Sequence, residues 1–372
     1  MSASGRTVRA AVVHEVGGPF VIEDIELAPT GPHDVRVAMA ASGVCHSDLS
    51  VQKGTIPFMF PTVLGHEGAG VVERIGEDVS SVAPGDNVVT LFSPQCRVCI
   101  HCRSPYTNLC LAIREQQNKG YLPDGTTRLS RDGEPIRHFM GTSTFAEYTV
   151  MPEIALAKIS PEAEPDHSCL FACGLSTGLG AAMNTAGVRE GSTCVVFGAG
   201  MVGLGAVAGC RLQGAERIIA VDMSEQRLEL ARGQGATDTW IGGPDTVQHV
   251  LDETGGFGAD YTFEATGLVA VMRQAVEAAR MGWGLCTVAG VAGKGETLDI
   301  VPRLLITGRH VAGSSFGGVK GRDQVPELVQ LYLDGKLDLE PFISHKITLD
   351  DVNRGFDLME AQDGIRSVIS FA

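Results

Sequence analysis

Aromatic residues make up only 6% of this 372-residue chain, and no block of lysine and arginine interrupts it. With a formal net charge of −15, that lack of basic runs argues against nucleic acid and against an anionic membrane, since both demand a positive surface. Membrane-length apolar runs are missing too. The longest candidate, Cys194 to Cys210, is short of spanning length and is broken by five glycines. Met1 to Arg9 is polar and holds no secretory apolar core, so the reading is a cytoplasmic protein in a reducing compartment.

What is present is glycine, 47 residues of it, and ten cysteines. The length suits two domains better than one, and an apolar content of 44% is that of a globular chain. Over the first 150 residues the pattern is one of short strands and turns. Val35, Val37 and Met39 alternate with Asp34, Arg36 and Ala38, and Ala69–Ile75 and Asp86–Phe92 are further strand candidates. From about Ser176 strands alternate with helices: Thr193–Phe197, a helix to Gln213, Arg217–Val221, Glu225–Arg232, Asp260–Glu264, Val269–Arg280 and Leu285–Ala289. That alternation predicts an α/β unit with a doubly wound parallel sheet over 176–315. Residues 316–372 lose the regularity and are expected to rejoin the β-rich domain 1–175, with helices at Pro326–Leu333 and Val352–Glu360.

The strand Thr193–Phe197 runs into Gly198-Ala199-Gly200-Met201-Val202-Gly203, the spacing of a dinucleotide-binding turn. Gly198 would make the turn, Gly200 would leave room for a pyrophosphate, and Gly203 would let helix and strand pack closely. Asp222 ends the next strand, where a carboxylate can accept hydrogen bonds from ribose hydroxyls and repel a 2′-phosphate, so NAD is expected over NADP. A helix N-cap is the plainer alternative for Asp222.

Four cysteines, Cys96, Cys99, Cys102 and Cys110, fall within fifteen residues inside a polar lobe spanning 93–113. Four thiolates at that spacing close a tetrahedral zinc shell with no open position, a structural site. His101 lies in the same loop and is read as exposed. A second set is dispersed: Cys45, His66 and Cys173. Two thiolates and one imidazole would leave a fourth position open, as a catalytic zinc needs. Spacing alone does not establish this set, because a lone Cys or His is more often a core or turn residue.

Around these residues the chain resembles the zinc-containing medium-chain alcohol dehydrogenases. The likeness runs through Gly43–Asp48, Gly65–Gly70, the four-cysteine loop, Pro123–Arg128, Gly141–Phe145, Cys173–Gly178 and Gly198–Gly203. It implies a GroES-like catalytic domain with a Rossmann domain, and a catalytic zinc on Cys45, His66 and Cys173, with Glu67 a nearby acid that can approach the metal. It also implies that Ser47 receives the alcohol proton, and that His46 and Arg366 touch the cofactor pyrophosphate. Arg227 would lie by the adenosine ribose, and Thr177 and Val202 against the nicotinamide. Phe92, Phe139 and Met140 would wall the substrate pocket. A homodimer or homotetramer is implied as well, with His310–Gly313 a plausible contact strand.

Two departures from the family pattern bear on chemistry. Ser50 stands where many members have a histidine that passes the proton to solvent. The stretch Arg114 and Tyr121–Phe145 is most similar to the class III, glutathione-dependent formaldehyde dehydrogenase branch, where Arg114 matches a substrate-carboxylate partner. Yet Gly54–Phe60 is apolar and lacks that branch's substrate-binding acid. A desolvated carboxylate partner cannot be replaced by Phe or Met. The expected reaction is therefore NAD-linked, zinc-dependent interconversion of a primary aliphatic or aromatic alcohol and its aldehyde. S-(hydroxymethyl)glutathione, or another thiol adduct, is the alternative substrate, and a non-enzymatic zinc-ribbon binding protein a remote one.

Overall fold

The computed structural model describes residues 5–371; Met1–Ser4, part of the polar N-terminal stretch, and Ala372 lie outside the described residues. The chain forms two units, one ending at Cys173 and resuming at Lys320, the other Gly174–Val319.

The first unit holds a closed barrel and a seven-stranded sheet. Arg6–Val13 pairs antiparallel with Val21–Leu27, which meets Leu129–Arg131 and then Glu134–His138. The two-residue strand Thr62–Val63 closes the ring by pairing with both Glu134–His138 and Arg6–Val13. Inward positions are filled by Val8, Val12, Ile25, Leu27, Leu129 and Ile136, all almost completely buried. In the sheet, the long strand Asp34–Gly43 lies between Glu67–Ile75 and the late strand Arg366–Ser370. Met39, Val37 and Val35 alternate inward, as their spacing predicts, and are buried with Val72, Val88 and Met151.

The second unit is a six-stranded, wholly parallel sheet. Its order is Asp238–Ile241, Arg217–Asp222, Thr193–Phe197, Tyr261–Glu264, Leu285–Val288, His310–Gly313. The strand order reverses at Thr193–Phe197, the point where ligands of doubly wound sheets bind. Its centre packs Val195, Phe197, Ile219, Val221, Ala275 and Cys286. Asp238–Ile241 escapes a reading by pattern because it is only four residues long and fully buried at none of them.

One helix differs from expectation. It spans Gly321–Leu333 rather than starting at Pro326, which sits inside it. Burial of Gly321 and Val325 extends the packed face upstream of the proline, which a first-turn rule for proline does not anticipate. No helix among the described residues is long and apolar enough to cross a membrane.

Candidate functional site

Cys45 leaves the end of the strand Asp34–Gly43 and is the N-cap of the helix His46–Gln52. His66 follows Gly65, whose positive φ of 88° turns the chain into the strand Glu67–Ile75. Cys173 ends the helical turn Cys169–Ala172. These elements bring Cys45, His66, Glu67 and Cys173 together, with one ligand atom of each within 4.8 Å of all the others. Gly43 is paired opposite Glu67, and a Cβ there would lie 2.2 Å from Glu67 Oε2, so any side chain at this position would have to displace that carboxylate.

The cluster is largely buried, with Cys173 partly so. His66 is 1% exposed and Glu67 0%. Asp48, at the third position of the helix after Cys45, holds the cluster from behind. Its Oδ1 accepts from Gly65 N at 2.9 Å and lies 3.2 Å from His66 Nδ1, and its Oδ2 accepts from Cys45 N at 3.3 Å. That fixes the imidazole so that Nε2 is left buried with no hydrogen-bond partner. The Cys173 thiol, hydrogen-bonded to Cys45, pulls the Cys45 pKa well down against the cost of burial, with His66 and Arg366 adding to it. Burial lowers the pKa of His66, but the charges of Asp48 and Cys45 outweigh it and push it well up. Burial raises Glu67 to about 8, opposed by Arg366. Two thiols, one of them acidified, and an oriented imidazole nitrogen without a partner form a donor set that fits zinc.

Asp48 is not among the residues expected to function, although Cys45-x-x-Asp48 is a legible capping-box spacing. Arg366 is 5% exposed. Its Nη1 donates to Val44 O at 2.6 Å and its Nη2 lies 3.1 Å from Glu67 Oε1. His46 is exposed and Ser47 half-buried on the first turn of their helix. Phe92 and Phe139 both set a ring edge-on to His66 at 5.7 Å, and Phe58 meets Phe139 at 5.3 Å. Phe58 is an aromatic neighbour that the sequence reading does not assign. Arg114 is exposed.

The four-cysteine loop closes on itself. Cys96, Cys99, Cys102 and Cys110 offer sulfurs within 4.8 Å of one another. Backbone N–H groups already point at them: Cys99 N to Cys96 Sγ at 3.3 Å, Cys102 N to Cys99 Sγ at 3.4 Å and Cys96 N to Cys110 Sγ at 3.4 Å. N–H groups aimed at sulfur stabilise thiolates, which is what a closed zinc shell of four sulfurs requires. His101 is half-buried rather than exposed, because its Nδ1 bonds Leu109 O at 2.7 Å. Lys320 anchors the lobe by donating to Cys102 O at 3.0 Å and Ser104 O at 2.7 Å.

In the second unit, Gly198 has φ 92°, and a Cβ on Gly203 would stand 1.7 Å from Gly198 O. Nothing lies within 4 Å of a Cβ on Gly200, which precedes the helix Met201–Leu212 without a side-chain cap. The amides of that helix start are oriented for a phosphate. Asp222 does not cap the following helix; Ser224 does. Asp222 Oδ2 accepts from Ala199 N at 2.7 Å and Oδ1 from Ser224 N at 2.9 Å, which ties the strand end to the glycine loop. Arg227 and Val202 are half-buried, and Thr177 is buried at 7% exposure.

A parallel nucleotide-binding sheet, a closed-shell metal site and a mixed-donor metal site define a zinc-dependent, dinucleotide-linked oxidoreductase. Comparison with known proteins makes this particular. Residues 31–161 match the alcohol dehydrogenase GroES-like domain and residues 201–334 the zinc-binding dehydrogenase family. The chain is 48% identical over 366 residues to the alcohol dehydrogenase class-3 of Myxine glutinosa, covering 97% of each chain. It is 49% identical over 367 residues to an S-(hydroxymethyl)glutathione dehydrogenase of Escherichia coli, covering 98% of this chain and 99% of that one. Among solved structures, benzyl alcohol dehydrogenase of Acinetobacter calcoaceticus superposes with a TM-score of 0.92 at 30% identity, covering 99% and 100% of the two chains. An alcohol dehydrogenase zinc-binding domain protein of Burkholderia ambifaria gives 0.94 at 34%, with the same coverage. The chain belongs to the zinc-binding medium-chain alcohol dehydrogenase family and is an NAD-dependent zinc enzyme.

Proposed function

We propose that the chain oxidises the hydroxymethyl adduct of formaldehyde with a low-molecular thiol, glutathione or a relative of it. The observation that carries this is near-half identity, over 97–98% of the chain, to proteins named for that substrate or for class 3. Exposed Arg114 offers a cation for a carboxylate on the thiol's tail. The preference reached from sequence alone, an apolar primary alcohol, is the second reading. It is favoured by one observation: Ile56, Phe58 and Phe60 turn against the apolar core, and no acid stands in Gly54–Phe60.

Cys45, His66 and Cys173 are the residues that would hold the catalytic zinc, and Cys96, Cys99, Cys102 and Cys110 the structural one. Bound there, zinc would supply Lewis acidity toward the substrate oxygen, and NAD would supply the hydride acceptor. Ser47 takes the hydroxyl proton at Oγ. With Ser50 next along the helix, the proton leaves through water rather than imidazole. Glu67, buried against Arg366, is the acid that can approach the metal. His46 and Arg366 are assigned to the pyrophosphate, Arg227 and Asp222 to the adenosine ribose, and Thr177 and Val202 to the nicotinamide. The edge strand His310–Gly313, with Val311 exposed, suits self-pairing in a homodimer or homotetramer, and a cytoplasmic location follows the cysteine chemistry.

The test is NADH formation by zinc-replete protein with formaldehyde alone, formaldehyde plus glutathione, and benzyl alcohol. Thiol-dependent turnover of formaldehyde supports the first reading. Turnover of benzyl alcohol with no thiol effect supports the second.

A further inference from the structure

We propose that Gln117 is a positioning residue that sets the substrate selectivity of the site by clamping two of its walls. Its side-chain amide donates to Phe92 O at 2.7 Å and to Met140 O at 2.8 Å from the same nitrogen. A carboxamide nitrogen carries two hydrogens, so each carbonyl takes one. The two carbonyls belong to separate segments, one following the strand Asn87–Thr90 and the other following Glu134–His138.

Met140 needs such a hold. Its φ is 51°, in the left-handed region that a side chain with a Cβ rarely adopts, and Gly141 at 71° and Ser143 at 52° continue the distortion. The turn is also secured by Thr142 N and Ser143 N to Phe139 O and by Phe139 N to Ser143 Oγ. None of these bonds fixes the Met140 carbonyl. Gln117 does, and in doing so it sets the direction of the Met140 side chain and the spacing between Phe92 and Phe139, the two rings that contact His66. Gln117 is itself held: its N–H bonds Ile113 O at 2.8 Å, and Ile113 is buried against the position where Gly141 lacks a Cβ. Ile113 follows Cys110, so the clamp is built on the last ligand of the four-cysteine lobe.

The inference rests on Phe92, Phe139 and Met140 walling the substrate pocket. The variant is Gln117→Leu, which removes both donors, with Gln117→Met as a second in case the first fails to fold. Two readouts keep clamp and substrate reading separate. Amide hydrogen exchange at Thr142 and Ser143 should speed up by on the order of tenfold or more when both bonds are lost. The ratio of kcat/KM for ethanol to that for benzyl alcohol should shift by on the order of tenfold, mainly through KM, with zinc content and NADH affinity unchanged. Unaltered exchange overturns the clamp. Faster exchange with an unaltered ratio overturns its role in selectivity. If wild type turns over neither alcohol, the thiol adduct replaces them and its KM is read instead; that outcome removes only the second reading of substrate.

Discussion

Oδ1 of Asp48 lies 3.2 Å from Nδ1 of His66, and both side chains are wholly enclosed. The pair fixes which ring nitrogen carries the proton and leaves Nε2, without a hydrogen-bond partner, on the side of the cysteines, free to bind metal. Asp48→Asn keeps the shape but loses the charge that raises the His66 pKa. Zinc affinity at this site should drop by about 10- to 100-fold, while the four-cysteine site keeps its metal. Competition with a chromophoric chelator measures both. An unaltered affinity would show that Asp48 does not orient the ligand.

Cys173→Ala should bring the metal content from two ions per chain to one and abolish turnover, with NADH binding retained in the Gly174–Val319 unit. Elemental analysis and cofactor fluorescence separate the two effects. Full activity from a one-zinc protein would contradict the assignment of Cys173.

Asp222→Asn leaves an acceptor for Ala199 N or Ser224 N but removes the charge proposed to repel a 2′-phosphate. The preference for NAD over NADP should fall by at least about tenfold. An unchanged ratio of kcat/KM for the two cofactors would refute the role given to this carboxylate.

His138 predicts acid sensitivity. It is 0% exposed, and neither ring nitrogen has a hydrogen-bond partner. Burial, with a further push from Arg128, drives its pKa down to about 3. An unfolded chain would take up the proton near pH 6.5, as an unperturbed histidine does. The folded-state value is the lower one, so the stabilisation is full above about pH 6.5 and is lost progressively as pH falls toward about 3. Between about pH 7 and about pH 5 the loss from this residue alone is about 2 kcal/mol. Urea unfolding of wild type and His138→Phe at both pH values checks this: the wild type should weaken more on acidification.

The parts of the site that sequence reveals are those whose geometry is local. Four cysteines within fifteen residues announce a closed shell, and glycines at 198, 200 and 203 with Asp222 announce a phosphate turn, because spacing along a turn or helix start dictates position. The strand alternation of 35, 37 and 39 is likewise local. Hidden were relationships made by distant pairing. Thr62–Val63 closes the barrel through partners near residues 12 and 137. Cys173 joins Cys45 only because the turn Cys169–Ala172 packs on the sheet, and family likeness, not spacing, pointed to it. Gln117 reads as an ordinary polar residue of a short helix until its two carbonyl partners are known. Residue type does not encode a contact between segments that share no period.

The strand Arg366–Ser370 pairs with Asp34–Gly43, yet the whole Gly174–Val319 unit separates them in the chain. During synthesis, Cys45, His66 and Cys173 are therefore all made well before the guanidinium that neutralises Glu67. A nascent chain halted at Val319 would carry every zinc ligand but leave Glu67 without its Arg366 partner, inside a sheet still missing a neighbour beside its longest strand. The surroundings of the Cys45, His66 and Cys173 cluster are therefore completed only when the final strand arrives.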